Sequence, residues 1–380
     1  MSTKLTSFQD IKSKLILPDW LSQLGLVKKL HSFFTDLSHS LREDQQSIRI
    51  MRFAVGVTLA VVLAFTVQWP LAFLTPVLTA VLLALPLPVP SIQAGITNML
   101  YTFIAFLIGV ALTLFLLPFP LVYIPMLGLV LFYIYYFINR GGSFWFGLMS
   151  LLAVLILPLL GNNHEGLAFG FALGFIWSGW LTVVMIWLAH FLFPDPDGSV
   201  LPASSKFQPG YSAVAAELAL KSTFVALPIA IIFITYNWVG QLLVMVFAAI
   251  FTLSPDLNKG SEAAKNSITS TLIGGVAAMG FYWLIVAVPE FHFFILLMLF
   301  TTLMFARQIF SDSSSAKYFG SAFVALFILV NSSMDAEGSI TSAFVLRVVF
   351  ISLAAIYVVA ALNVLERFWP ATIQKRSISM

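Results

Sequence analysis

Long apolar runs are the feature that most constrains this sequence. Runs of about 17 to 25 residues, interrupted by Pro, Gly and charged residues, recur from about residue 50 to residue 365. Each run is long enough to cross a roughly 30 Å hydrocarbon layer as an α-helix, in which all backbone polar groups are satisfied internally. The sequence therefore predicts an all-α polytopic membrane protein.

Twelve spans are predicted, in two sets of six. The runs at 144–160 and 317–331 are the most marginal of the twelve. The first set lies near 50–68, 70–87, 97–117, 120–138, 144–160 and 167–192, and the second near 213–236, 239–254, 264–288, 291–306, 317–331 and 340–364.

The composition excludes most soluble classes. The chain is 60% hydrophobic and 9% charged, whereas a soluble domain usually carries about a quarter charged residues. A soluble enzyme, a disordered regulator and a nucleic-acid binder are all excluded on this ground. Cysteine is absent, no phosphate-binding loop is found, and the five histidines are too dispersed for a zinc motif. We therefore expect no enzymatic activity, no cofactor, no metal and no nucleic-acid partner.

The basic residues predict the orientation of the spans. With the N-terminus in the cytoplasm, 17 of the 19 Lys and Arg residues fall on the cytoplasmic side, as the positive-inside rule requires. The two exceptions, Lys221 and Arg347, lie inside predicted spans. The predicted outer loops hold acidic residues and no base. The sequence therefore predicts a multi-pass protein of the bacterial inner membrane with both termini in the cytoplasm.

The two sets of spans are related in sequence. A base, a Trp and a Pro spaced by 17 residues recur at an offset of 169, as Arg52, Trp69 and Pro86 and as Lys221, Trp238 and Pro255. Leu107-Ile108-Gly109 matches Leu272-Ile273-Gly274 at an offset of 165, and Arg140 matches Arg307 at 167. Six is an even number of crossings, so the sequence predicts two parallel, same-orientation repeats.

The domain organisation follows from this duplication. Residues 48–194 and 212–370 are the predicted six-helix membrane repeats, joined by a Pro-, Gly- and Ser-containing cytoplasmic linker at 195–211. Residues 1–47 form a cytoplasmic segment whose leucines repeat at helical spacing, which predicts an amphipathic helix on the membrane surface. Residues 371–380 form a cytoplasmic tail.

Ionisable residues in or beside the spans are the candidate functional groups, because burying charge in a membrane is costly. Arg52, Lys221, Arg140 and Arg307 are predicted at the cytoplasmic mouth, where they either recruit anions or only enforce orientation. Arg347 lies deeper and is either an anion-attracting group or an interhelical tie. Glu217 precedes Lys221 by four residues, so that it either pairs with Lys221 or relays a proton.

Several of these features together resemble one family. They are a base opening each first span (Arg52, followed by Phe-Ala-Val-Gly-Val-Thr-Leu-Ala, and Lys221), a Trp-Pro hairpin, a Pro-rich end to the second span and a Leu-Ile-Gly-Val third span. With the six-span duplication, residues 48–370 resemble the fusaric acid resistance and aromatic acid exporter (FUSC-like) superfamily, to which the plant aluminium-activated malate transporters are related. The chain resembles a compact form of that superfamily, without its large cytoplasmic domains.

This resemblance implies an inner-membrane exporter of organic acids that works with a periplasmic adaptor (membrane-fusion) protein. We therefore expect an efflux permease for amphipathic organic anions, aromatic carboxylic acids in particular, with basic residues at the cytoplasmic mouth recruiting the anion. The alternatives are a passive anion channel and a non-transporting membrane scaffold or assembly protein. The sequence leaves open whether the chain forms a homo-oligomer and whether export is proton-coupled.

Overall fold

The computed structural model describes residues 45–85, 89–194, 210–253, 257–335 and 340–368, and the described chain forms twelve α-helices. The predicted surface helix within residues 1–47, most of the linker and the tail at 371–380 lie outside the described residues. The helices are α1 (Gln45–Val67), α2 (Leu74–Ala84), α3 (Ile92–Ala111), α4 (Pro120–Asn139), α5 (Phe144–Gly161), α6 (Glu165–Leu192), α7 (Ala213–Thr235), α8 (Leu242–Phe251), α9 (Leu257–Ala287), α10 (Phe291–Ile309), α11 (Ala316–Asp335) and α12 (Ile340–Phe368).

Each predicted span corresponds to one of these helices, but the helices differ in length. Ten are long and apolar enough to cross a membrane, including α5 and α11, whose runs are the marginal ones in the sequence. The short helices are α2 and α8, with 11 and 10 residues. A helix of that length covers only about 16 Å, roughly half of the hydrocarbon layer. The expectation that every span is a full-length helix is therefore wrong for the second helix of each set.

Turns before α2 and α8 limit the lengths of these helices, and before α8 a 3₁₀ turn at Val239–Gln241 leads directly into the helix. Pro70 has no backbone N–H and cannot continue α1, and Gln68 and Leu71 adopt left-handed conformations with φ of 53° and 62°. Trp69 Nε1 donates to Ser178 Oγ (3.0 Å), which in turn donates to the Leu71 carbonyl (3.0 Å), so this turn is fixed on α6. Asn237, one residue before Trp238, also has a left-handed φ of 54°.

Helices at corresponding places in the two sets of six make the same contacts. In the first set α3 packs on α5 and α6, and α2 packs on α1 and α6; in the second, α9 packs on α11 and α12, and α8 packs on α7 and α12. Between the sets, α1 packs on α10 as α7 packs on α4, and α2 packs on α11 as α8 packs on α5. The two sets therefore interlock rather than form separate bundles.

Glycines allow the closest of these contacts. A Cβ atom at Gly109 of α3 would lie 2.9 Å from the Ala153 carbonyl oxygen of α5, and one at Gly274 of α9 would overlap the Ala322 carbonyl oxygen of α11. Small residues let backbones approach in this way within a membrane, where packing rather than hydrophobic burial holds helices together. These contacts bring α9 and α11 together beside the candidate site.

Candidate anion-binding cavity

Arg347 is the buried base that no carboxylate neutralises within the described residues. It lies on the third turn of α12, in an apolar stretch, with 8% of its surface exposed. Its Nε has no hydrogen-bond partner, and its guanidinium carbon lies 6.0 Å from the centre of the Phe247 ring of α8. A cation over an aromatic face is weakly stabilised, but the interaction does not replace a counter-ion in a membrane interior.

Arg347 is one of the residues that line a cavity of about 450 Å³. Its walls come from α2, α8, α9, α11 and α12 and from Ile309 at the end of α10, and thus from both sets of six helices. Hydroxyl groups and a second base, Lys317, share the lining with apolar side chains. The lining residues are Val81, Ala84, Leu85, Phe247, Ser267, Ser270, Thr271, Ile309, Ala316, Lys317, Gly320, Ser321, Val324, Ala325 and Arg347.

The hydroxyl groups follow from helix periodicity. Ser267, Ser270 and Thr271 are spaced i, i+3 and i+4 on α9, so they lie on one face of that helix. Ser321 follows Lys317 by four residues and shares a face with it on α11. A polar stripe on each of two packed helices thus lines the cavity.

The cavity extends from the first turn of α11 to the middle of α9. Lys317 is the second residue of α11, whereas Thr271 is close to the middle of the span Ser261–Ala287. Phe344, one turn before Arg347, packs where a Cβ atom at Gly275 would lie. Arg347 is therefore about level with the middle of α9, and Lys317 is nearer the cavity's mouth.

Arg52 occupies a different place. It is buried in α1, and its Nε donates to the Phe193 carbonyl at the end of α6 (2.9 Å). It lines a smaller cavity of about 100 Å³ together with Arg49, Asn98 and His190. Arg52 therefore ties α1 to α6 as well as lining a cavity.

Lys221 is held by an acid on its own helix. Its Nζ lies 3.0 Å from Glu217 Oε1, and the two side chains are only 8% and 16% exposed. The spacing of four residues places the two groups on one face of α7. This pair neutralises both charges locally.

The other two bases lie at helix ends. The Arg140 guanidinium stacks over the Tyr136 ring, 5.3 Å from its centre, and Arg307 is exposed in the last turn of α10. Because α1 packs on α10 and α4 on α7, Arg52 and Arg307 lie on one helix pair, and Arg140 and Lys221 on another. The structure thus places the five bases apart: Arg347 and Arg52 line two separate cavities, and the other three line neither.

Sequence reasoning missed several residues of the larger cavity. In the sequence, Lys317 is one of the 17 bases that predict orientation, and the spacing of Ser267, Ser270 and Thr271 predicts a shared helix face but no site. Phe247 gives no sequence signal at all, because one more Phe among 37 is unremarkable in an apolar chain. Among the described residues no group of three His, Cys, Asp or Glu is placed to hold a metal ion.

The comparisons with known proteins name no activity. Residues 49–189 match the profile of a family described as a protein of unknown function (DUF2955), which covers nearly all of the first six helices. No curated protein matches the chain, and no solved structure does. The family match does not confirm the resemblance to the FUSC-like superfamily, which stays a prediction.

Proposed function

We propose that this protein is an efflux permease that exports amphipathic organic anions, aromatic carboxylates in particular, across the bacterial inner membrane. The observation that carries the proposal is Arg347, a buried guanidinium without a carboxylate partner in the described chain, facing a cavity of about 450 Å³ between the two sets of helices. A buried charge of this kind is expensive to maintain and usually marks a substrate pathway.

The lining suits a molecule with one charged end and one apolar body. A carboxylate forms paired hydrogen bonds with a guanidinium, and such charge-assisted bonds are roughly twice as strong as neutral ones. Phe247, Val81 and Val324 offer apolar surface to a ring, and the hydroxyls of Ser270 and Thr271 can bond polar substituents. An inorganic anion would leave most of this volume unfilled.

We further propose that the two sets of helices are same-orientation repeats around an axis along the membrane normal. The matching helix contacts support this, as do the left-handed residues before Trp69 and Trp238 and the glycine contacts of Gly109 and Gly274. With both termini in the cytoplasm, Lys317 is at the cytoplasmic end of the cavity. A negative-inside potential then drives each exported negative charge outward by about 2.3 kcal/mol per 100 mV.

The repeat is asymmetric at the site itself. At the offset of 165, Ala105 and Phe106 of the first half correspond to Ser270 and Thr271. At the offset of 169, Leu78 corresponds to Phe247. These residues form a packed apolar cluster in which the Phe106 and Phe175 rings stack at 4.7 Å. In the first half, side chains therefore fill the space that corresponds to the larger cavity of the second half. We propose one anion site per chain.

Hydrogen bonds join the two sets of helices at the end of the molecule opposite Lys317. Asn163 and Asn237 exchange two amide hydrogen bonds of 2.9 and 2.6 Å, and Asn162 Nδ2 donates to the Ile234 carbonyl (3.1 Å). Asn163 and Asn237 follow the C-terminal ends of α5 and α7, whereas Lys317 is in the first turn of α11. In the proposed topology all odd-numbered helices run from the cytoplasm outward. Their first turns are then cytoplasmic, and their C-terminal ends, with the amide pair, are at the outer face. This arrangement supports loading from the cytoplasm.

Flux in reconstituted vesicles tests the proposal. Purified protein in vesicles should release preloaded 2-naphthoate under an imposed potential, and unlabelled naphthoate on the far side should accelerate exchange of the labelled compound. Exchange without acceleration, together with single-channel currents, would indicate the passive anion channel instead. Vesicles that behave like protein-free ones would favour the scaffold. The vesicles contain no periplasmic adaptor, so flux in them also measures whether the chain transports alone.

A further inference from the structure

Lys317 and Glu262 are two exposed, oppositely charged residues beside the larger cavity. Lys317 is in the first turn of α11 and lines the same cavity as Arg347. Its Nζ lies 3.4 Å from Oε1 of Glu262 on α9, and the two side chains are 50% and 65% exposed. Lys317 is the exposed base of the cavity lining, and Glu262 is the acid beside it.

We propose that Lys317 is the entry base of the anion pathway and that Glu262 is the competing carboxylate that an incoming anion displaces. The proposal rests on the proposed function, and it names the residues that control admission to the site. In this scheme the substrate carboxylate first replaces Glu262 beside Lys317. It then passes along the hydroxyl face to Arg347, and the Glu262–Lys317 pair re-forms behind it.

The geometry of the pair supports displacement. A strong ammonium–carboxylate contact is about 2.7–2.9 Å long, and the observed 3.4 Å is longer. Pairs this exposed change equilibria by no more than about fivefold, because water and salt screen them. An arriving carboxylate can therefore replace Glu262 at little cost.

The buried pair on α7 provides the contrast. Lys221 and Glu217 are the same residue types, but their atoms are 3.0 Å apart and both side chains are largely buried. They lie on one helix, whereas Lys317 and Glu262 are on two helices that pack against each other. In the described part of the chain, the Lys221–Glu217 pair is thus buried and close, whereas the Lys317–Glu262 pair is exposed and longer.

Hydroxyl groups line the same cavity as Lys317 and Arg347. Ser321 lies one turn beyond Lys317 on α11, and Ser267, Ser270 and Thr271 lie on the facing helix before Arg347 is reached. Each hydroxyl can donate to a carboxylate oxygen. A base at the mouth raises the local anion concentration and the rate of entry, and this effect falls as ionic strength rises.

Kinetics of 2-naphthoate flux in reconstituted vesicles test this assignment. We expect Lys317→Gln to raise KM by about threefold to tenfold and Glu262→Gln to lower it by about twofold to fivefold, with kcat within about twofold of wild type in both. The salt dependence of KM should weaken in Lys317→Gln. Lys265→Gln is the matched control, because Lys265 is an exposed base one turn from Glu262 that does not line the cavity.

The outcomes separate this inference from the proposed function. If Arg347→Met abolishes flux while the Lys317 and Glu262 variants match Lys265→Gln in KM and in salt dependence, the entry role is overturned and the proposed site stands. A fall in kcat at unchanged KM in Lys317→Gln would also overturn it, because entry would then not depend on the base. If Arg347→Met transports like wild type, the assignment of Arg347 as the anion site fails, whereas the proposed function fails only if wild-type vesicles release no more 2-naphthoate than protein-free ones.

Discussion

Two buried bases in this protein, Lys221 and Arg347, have opposite surroundings. Lys221 is 3.0 Å from Glu217, and each group satisfies the other. Arg347 faces only an aromatic ring and a cavity, with its Nε unbonded. Removing one member of a buried pair leaves an uncompensated charge. Removing a buried charge that has no partner removes the free-energy cost of burying it.

The stability of two variants follows from this contrast. Lys221→Met should lower the free energy of unfolding by about 3–5 kcal/mol, and adding Glu217→Gln should restore most of it. Arg347→Met should leave stability unchanged or raise it, as substitutions in strained functional sites often do. Thermal unfolding in detergent, followed by tryptophan fluorescence, measures both. A loss in Arg347→Met as large as that in Lys221→Met would make Arg347 an interhelical tie.

At the scale of elements, the α9–α11 contact shapes the cavity wall. Gly274 lies against the Ala322 backbone, where a rigid carbonyl oxygen cannot yield, whereas Gly280 on the same helix has nothing within 4 Å of its Cβ position. The two glycines therefore differ in surroundings while sharing a helix. Any widening of this contact would separate the hydroxyl stripe of α9 from Lys317 and Ser321.

Gly274→Ala should therefore destabilise the protein by about 1–3 kcal/mol, the usual cost of overpacking. Gly280→Ala should be neutral or slightly stabilising, because alanine is the better helix former. The midpoint of thermal unfolding provides the comparison, with Gly280→Ala as the matched control. Equal midpoints for the two variants would mean that α9 and α11 are not in close backbone contact.

The lengths of the helices show where sequence reasoning succeeds and where it fails. Apolar runs predicted all twelve helices, because a membrane interior tolerates little else. The shortness of α2 and α8 is not predicted, because the mean hydropathy of a run does not show at which residue its helix begins. The start of α2 depends on Pro70, on left-handed backbone at Leu71 and on the Ser178 hydrogen bonds from a distant helix. Hydropathy does not report such contacts.

At the scale of the molecule, hydrogen bonds between Asn163 and Asn237 join the two sets of helices, and a disulfide can test that junction. The chain has no cysteine, so Asn163→Cys with Asn237→Cys introduces one pair. With a protease site inserted in the linker, oxidised protein should stay in one piece after cleavage and separate on reduction. Oxidation should also stop flux reversibly if the outer face must open.

The control pair is Asn163→Cys with Tyr211→Cys, since Tyr211 precedes α7 and Asn237 follows it. This pair should not cross-link within the molecule, because the two positions are at opposite ends of that helix. Cross-linking of the control pair, or none in the first, would contradict the proposed topology. Undiminished flux in the fully oxidised Asn163–Asn237 variant would show that transport needs no movement there.

The candidate site was only partly predictable from the sequence. Arg347 was identified because a lone charge in a predicted span is costly whatever surrounds it. The sequence does not distinguish Arg52, which is buried and bonded to the Phe193 carbonyl, from Arg307, which is exposed at a helix end. Lys317 and Phe247 join the site through helix packing alone. Which helices meet around a charge is a property of the whole bundle.

Binding of a charged and a neutral probe tests the central claim most directly. Arg347 should select the carboxylate, so purified wild-type protein should bind 2-naphthoate at least about tenfold more tightly than 2-naphthamide, from the charge-assisted hydrogen bonds. Arg347→Lys should keep part of this preference, and Arg347→Met should lose it while binding the amide as wild type does. Equal preference for naphthoate in wild type and Arg347→Met would contradict the assignment of Arg347 as the anion site.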